Sequence, residues 1–199
     1  VHYDSCENYD KAILYLNKAG DKYNELIDKK SALKCFSRSI DIIKKNRIDN
    51  LDILHECELK CADIYTFLGN TDKATSIINS LDKQKHSKAL EGRVNYIGGL
   101  TSEVKRDNDL ALKYFNSASK IYSEIKNTDM VADIDTRLGL TYINIGKYNT
   151  ALSLFKKSIS HYKKEKNIIE TASTYGCIGN IYLYQGKLDK AYELFEKQY

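Results

Sequence analysis

Proline is missing from all 199 residues. No helix in this chain is therefore cut short by a ring that lacks the amide donor and collides with the preceding turn. Long apolar runs are missing too: none approaches the ~20 residues of a membrane-spanning helix, and no secretory leader is visible. One-sided charge is scarce. Against 27 acidic residues stand 31 basic ones, a formal net charge of +4, and the lysines are spread along the chain beside acids. A nucleic-acid footprint needs a clustered basic stripe with base-stacking aromatics or a known motif, so neither nucleic acid nor membrane is an expected partner. Cysteine is sparse and irregular. Cys6, Cys35, Cys57, Cys61 and Cys177 follow no disulfide-framework spacing. Cys57 and Cys61 stand at i, i+4 with His55 nearby, but a structural zinc site wants a second ligand pair. They are expected to be buried thiols in a reducing, cytoplasmic compartment.

Signals for catalysis are equally thin. Gly98-Gly99 lacks the GxxxxGK[ST] frame of a phosphate loop. His2, His55, His86 and His161 are scattered, and none is marked as the base for a serine or cysteine nucleophile. No catalytic residue, cofactor or metal is expected.

What the chain has is repetition. LGLTYINIGKYNTALSLFKKSI (138–159) aligns without a gap on IGNIYLYQGKLDKAYELFEKQY (178–199). A small residue followed four positions later by a large apolar one recurs as Ala32/Phe36, Ala74/Ile78, Ala111/Phe115, Ala151/Phe155 and Ala191/Phe195, with alanine spacings of 42, 37, 40 and 40. Twelve residues before each alanine stands Gly20, Ala62, Gly99, Gly139 or Gly179; three further on stands Tyr23, Tyr65, Ser102, Tyr142 or Tyr182. The third unit departs at Ser102 and has Arg106 where its mid-turn glycine is expected. A period of this size means one supersecondary unit stacked on its own copies.

Each unit carries helical spacing. Tyr148, Ala151, Leu152, Phe155 and Ile159 fall at i, i+3, i+4, i+7 and i+11, one face of a 3.6-residue period. Glycine after an apolar run, as at Gly69, Gly146 and Gly186, marks helix ends, and a following Asn or Asp suits the next N-cap. The pattern predicts ten helices near 9–26, 29–45, 50–68, 71–82, 86–105, 108–126, 129–145, 148–165, 168–185 and 188–199. Gly139 and Ala151 are expected where paired helices cross, with Tyr142 and Phe155 filling the space beside them.

The order Leu/Ile–Gly–x–x–Tyr, Gly, then Tyr/Leu–x–x–Ala–x–x–x–Phe resembles the tetratricopeptide repeat over essentially the whole chain. The resemblance implies an all-α, right-handed α-solenoid of five helix–turn–helix units, at 9–45, 50–82, 86–126, 129–165 and 168–199, forming a single array over 1–199. The common form of the family has about 34 residues and often closes its second helix with proline. Here that position is Lys163, so the helix can run on by about 1.7 turns. The chain is expected to be a piece of a longer protein.

The resemblance also implies a concave, non-catalytic surface for a protein or peptide, or for other domains of the same full-length chain, lined by first helices. Its groove positions fall on Asn17, Asp21 and Asn24 in the first unit. In the second they fall on Glu56, Leu59, Asp63, Thr66 and Phe67, and in the third on Arg93, Tyr96 and Leu100. The fourth supplies Thr136, Leu140 and Asn144, and the fifth Gly176, Asn180 and Tyr184. The early positions are acidic and amide-rich, which suits a basic partner segment there and argues against the carboxylate grip of the chaperone-binding subset. An alternative function follows from the opening stretch 12–43, which is similar to the repeats of bacterial multidomain signalling regulators. By that likeness the array is the sensor arm of an attached ATPase, cyclase, kinase or transcriptional regulator.

Overall fold

A computed structural model describes residues 8–84 and 87–196. His2, Cys6, His86, the first residue of the helix expected at 86–105 and the last three of the one expected at 188–199 lie outside them. Among the described residues there are ten helices and no strand. They are α1 (Tyr9–Glu25), α2 (Lys29–Lys45), α3 (Leu51–Phe67), α4 (Thr71–Leu81), α5 (Lys88–Val104), α6 (Asn108–Glu124), α7 (Thr128–Asn144), α8 (Tyr148–Lys164), α9 (Ile168–Tyr184) and α10 (Leu188–Glu196). Apart from the end of the last helix, which falls outside the described residues, the helices expected from the sequence pattern stand within two residues of these bounds.

The underlying unit is the single helix. From Lys88 onward a helix begins every 20 residues, because 17 helical residues are followed by a three-residue link. Six of the links in the described residues close as Schellman turns. The backbone N–H five residues on donates to a tyrosine carbonyl at Tyr23, Tyr65, Tyr122, Tyr142, Tyr162 and Tyr182, all at 2.8–2.9 Å, satisfying a carbonyl the helix end leaves over. The middle residue of the link takes positive φ, and glycine holds it only at Gly69, Gly146 and Gly186. Ile27, Arg106, Lys126 and Lys166 hold it elsewhere, and Arg47 does so after α2. A side chain in that conformation costs about 1–2 kcal/mol.

Compensation lies one residue later. After Ile27, Arg106, Lys126 and Lys166 the N-cap is Asp28, Asp107, Asn127 or Asn167, and each side chain accepts an N–H of the new helix. After Gly69 and Gly146 the N-caps Asn70 and Lys147 make no such bond. The capping role expected for the residue after a turn glycine is thus corrected: the favourable backbone of glycine coincides with an uncapped start.

The structure divides into two compact units, Val1–Lys105 and Arg106–Tyr199. In the first, α1, α2 and α3 pack in sequence and α3 also meets α4 and α5. One apolar cluster joins Ala12 and Ile13 to Ile42 and Ile43; another joins Ala32 and Phe36 to Cys61 and Ile64. In the second unit, α6 to α10 pack each against the next, around Ala151, Phe155, Ile159, Ile178 and Ile181.

In three hairpins the small residue has a sharper task than the expected one of letting two axes approach. A Cβ on Gly139 would lie 2.5 Å from Cε1 of Phe155, and on Gly20 or Gly179 it would lie 2.6 Å from the ring of Phe36 or Phe195. The glycine is a seat for an aromatic ring. Where the ring becomes Ile78, the seat becomes Ala62, and both are buried.

The missing proline is visible in α8, which continues through Lys163 to Lys164. Its last two turns reach the start of α7. Ser158 Oγ donates to the Ala132 carbonyl at 3.1 Å, Tyr162 meets Thr136 at 3.5 Å, and His161 Nε2 lies 2.8 Å from Asp129 Oδ1. His161 is largely covered and faces that carboxylate.

Candidate partner-binding face

In the first unit the first helices of successive hairpins, α1, α3 and α5, are joined by polar side chains. Cys57 Sγ donates to Asn17 Oδ1 at 3.1 Å, Lys60 Nζ reaches Asp21 Oδ1 at 2.6 Å, and the Arg93 guanidinium is held by both carboxylate oxygens of Glu56. Lys29, at the start of α2, donates to Asn24 Oδ1 at 2.6 Å and lies 4.7 Å from the centre of the Phe67 ring. Burial raises the Asp63 carboxyl above its ordinary pKa of 3.8, opposed by the positive charges of Lys29 and Arg93. The expected residues Asn17, Asp21, Asn24, Glu56, Asp63 and Arg93 thus share one face.

That face is not the acidic surface expected from the sequence. Asp21 and Glu56 already hold Lys60 and Arg93, and Asp63 lies in the field of Lys29 and Arg93, so a basic partner segment meets carboxylates that already have cations. The missed residues were Cys57, Lys60 and Lys29. A signal for two of them existed: Asn17/Cys57, Asp21/Lys60 and Glu56/Arg93 are separated by 40, 39 and 37 residues. Complementary side chains one repeat apart come to face each other.

Three groove expectations are corrected. Leu59 is fully buried, and Thr66 is buried with its hydroxyl 2.7 Å from that of Thr101, between α3 and α5. Gly176 is buried within α9. A first helix presents one stripe to the groove, while the adjoining positions pack against neighbouring helices. Tyr96 and Leu100 are half-buried. Phe67 is exposed.

In the second unit Thr136 is turned toward α8, where its hydroxyl meets Tyr162. Leu140 packs against the Ile178–Ile181 cluster. Asn144, Asn180 and Tyr184 are exposed, and the Tyr184 ring stacks on Tyr148 with centroids 6.4 Å apart.

The thiols are not poised for chemistry. Burial pushes Cys57 up to about 11 and Cys61 to about 12, which keeps both protonated at neutral pH, whereas a nucleophile or metal ligand must be a thiolate. Among the described residues no group of three or more His, Cys, Asp or Glu side chains is placed to hold a metal ion. No described helix is long and apolar enough to cross a membrane.

Residues 136–164, the second half of α7 with all of α8, match the family model described as tetratricopeptide repeat. Over these residues the repeat matches the tetratricopeptide repeat. Protein KINESIN LIGHT CHAIN-RELATED 3 of Arabidopsis thaliana is 26% identical over 148 residues, covering 71% of this chain and 23% of that protein. A crystal structure of a Rap protein complexed with competence and sporulation factor superposes with a TM-score of 0.80 at 16% identity, over 94% of this chain and 53% of that one. A Podosopora anserina protein of nearly identical TPR-like repeats superposes at 0.73 with 11% identity, over 96% and 95%. These likenesses show the tetratricopeptide fold. The chain spans less than a quarter of the plant relative and about half of the Rap protein.

Proposed function

We propose that this chain is a non-catalytic scaffold, working in the cytoplasm, whose five repeats act as one array and bind a protein or peptide through the faces of their first helices. The observation that carries this reading is the way α1, α3 and α5 are tied edge to edge by Asn17–Cys57, Asp21–Lys60 and Glu56–Arg93. The ties hold several helix faces in fixed register, and a preordered surface loses little freedom on binding. With its charges matched internally, the face favours a partner that supplies backbone amides and apolar side chains over one that supplies net charge. Tetratricopeptide folds generally mediate protein–protein contacts, which supports the same conclusion.

The test is a pull-down of the native partner with Tyr96→Ala combined with Leu100→Ala. Binding weakens while the helical circular dichroism is retained; unchanged affinity in the folded variant removes the groove assignment.

A second reading rests on the likeness of residues 12–43 to the repeats of bacterial multidomain signalling regulators. In it the array is a sensor arm that passes partner binding to an attached ATPase, cyclase, kinase or transcriptional regulator. A scaffold alone binds independently of nucleotide, whereas a sensor arm changes the activity of its neighbour.

A further inference from the structure

A cavity of about 390 Å³ opens in the first unit between α1, the end of α2 and the start of α3, within the range of small-ligand sites, about 300–1,000 Å³. Ile13, Ile43, Ile48 and Ile53 give it an aliphatic lining, with Leu14 exposed beside them. Its remaining lining side chains are Asp10, Asn17 and Asn50, with no lysine or arginine among them. Both amide oxygens are already used: Asn17 Oδ1 accepts from Cys57 Sγ and Asn50 Oδ1 from the Ile53 N–H. These two residues therefore offer the cavity their NH₂ donors, and Asp10 offers an anionic acceptor.

One carboxylate and two amide donors around an aliphatic pocket complement an ammonium, an adjacent carbonyl and a branched side chain. We propose that this cavity receives the N-terminal residue of a peptide with a large aliphatic side chain. Its α-ammonium pairs with Asp10, its carbonyl accepts from Asn17 and Asn50, and its side chain enters among the isoleucines. An internal segment of a partner lacks the free ammonium and fits less well. This deepens the proposed function and rests on its reading of the first-helix face, because Asn17 belongs to both.

Single-residue probes test the pocket without the native partner. The ¹⁵N-labelled 199-residue chain is titrated with leucinamide, N-acetylleucinamide and N-acetylleucine while the side-chain amide signals of Asn17 and Asn50 are followed. Leucinamide produces saturable shifts, N-acetylleucinamide binds at least about ten-fold more weakly, and N-acetylleucine, whose carboxylate opposes Asp10, produces none. Asp10→Asn abolishes the preference for the free amine, and Leu14→Ala weakens both amides; both positions are exposed. Non-saturating shifts from every probe, or an amine preference unchanged by Asp10→Asn, overturn the proposal. Leucinamide binding retained by the Tyr96→Ala/Leu100→Ala chain separates the pocket from the groove, since failure of the groove alone shows only in the pull-down.

Discussion

Phe155 is fully buried with its ring in the space a side chain on Gly139 would need, so the two positions form one packing unit. Gly139→Ala should destabilise the chain by about 1–3 kcal/mol through overpacking. Adding Phe155→Ile, which recreates the native Ala62/Ile78 combination, should recover much of that loss in a double-mutant cycle followed by thermal denaturation. Additive losses would mean the ring is not what the glycine serves. Asp63 is a residue-scale feature of a different kind. Its pKa is raised chiefly by burial, so the ionised form is disfavoured in the folded chain relative to the unfolded one. That penalty is present in full above the raised folded-state pKa and fades as pH falls through it toward 3.8. Asp63→Asn should therefore raise the melting temperature at pH 7, and its advantage should shrink on acidification toward pH 4. An advantage that grows toward pH 4 contradicts this account.

At the scale of the element, the links set where each helix starts and stops. Lys147 opens α8 without a side-chain cap, and Lys147→Asp should add about 1 kcal/mol by accepting an orphan N–H there. Lys126 sits at φ 58, and Lys126→Gly should relieve strain of about 1 kcal/mol. Both gains are read from denaturation midpoints. The last turns of α8 serve a neighbour rather than themselves, since Ser158, His161 and Tyr162 hold the start of α7. Lys163→Pro should cost about 3 kcal/mol and lower hydrogen-exchange protection in the first turn of α7. Much of this level was legible beforehand: apolar periodicity and turn residues place the helices within about two residues. The 20-residue step was legible as well, in Tyr122, Tyr142, Tyr162 and Tyr182. The 40-residue repeat hides it because first and second helices bury different faces and share little beyond their turn chemistry. Gly69–Asn70 shows the limit, since Asn70 is the N-cap that its residue type suggests but its side chain makes no bond to the new helix.

At the scale of the whole molecule, thiol chemistry reports on burial. Cys57 and Cys61 are buried protonated thiols, and Cys35 is partly exposed. A thiol reagent at pH 8 should modify Cys35 first, though slowly because burial also raises its pKa above 9.0, while Cys57 and Cys61 react only as the first unit opens, at a rate that rises with denaturant. Immediate labelling of Cys57 would place it outside the α1–α3 contact.

The sequence by itself determined the helical class, the repeat, most helix bounds and the likeness to the tetratricopeptide repeat, because each depends on residues near one another along the chain. Only the tertiary structure decided that Gly139 seats a ring, that Leu59 and Thr66 are interior, and that Asp21 and Glu56 meet Lys60 and Arg93. Those outcomes depend on the register of one hairpin against the next. A shift of a single helical position there rotates a side chain by about 100°, enough to move it from groove to core.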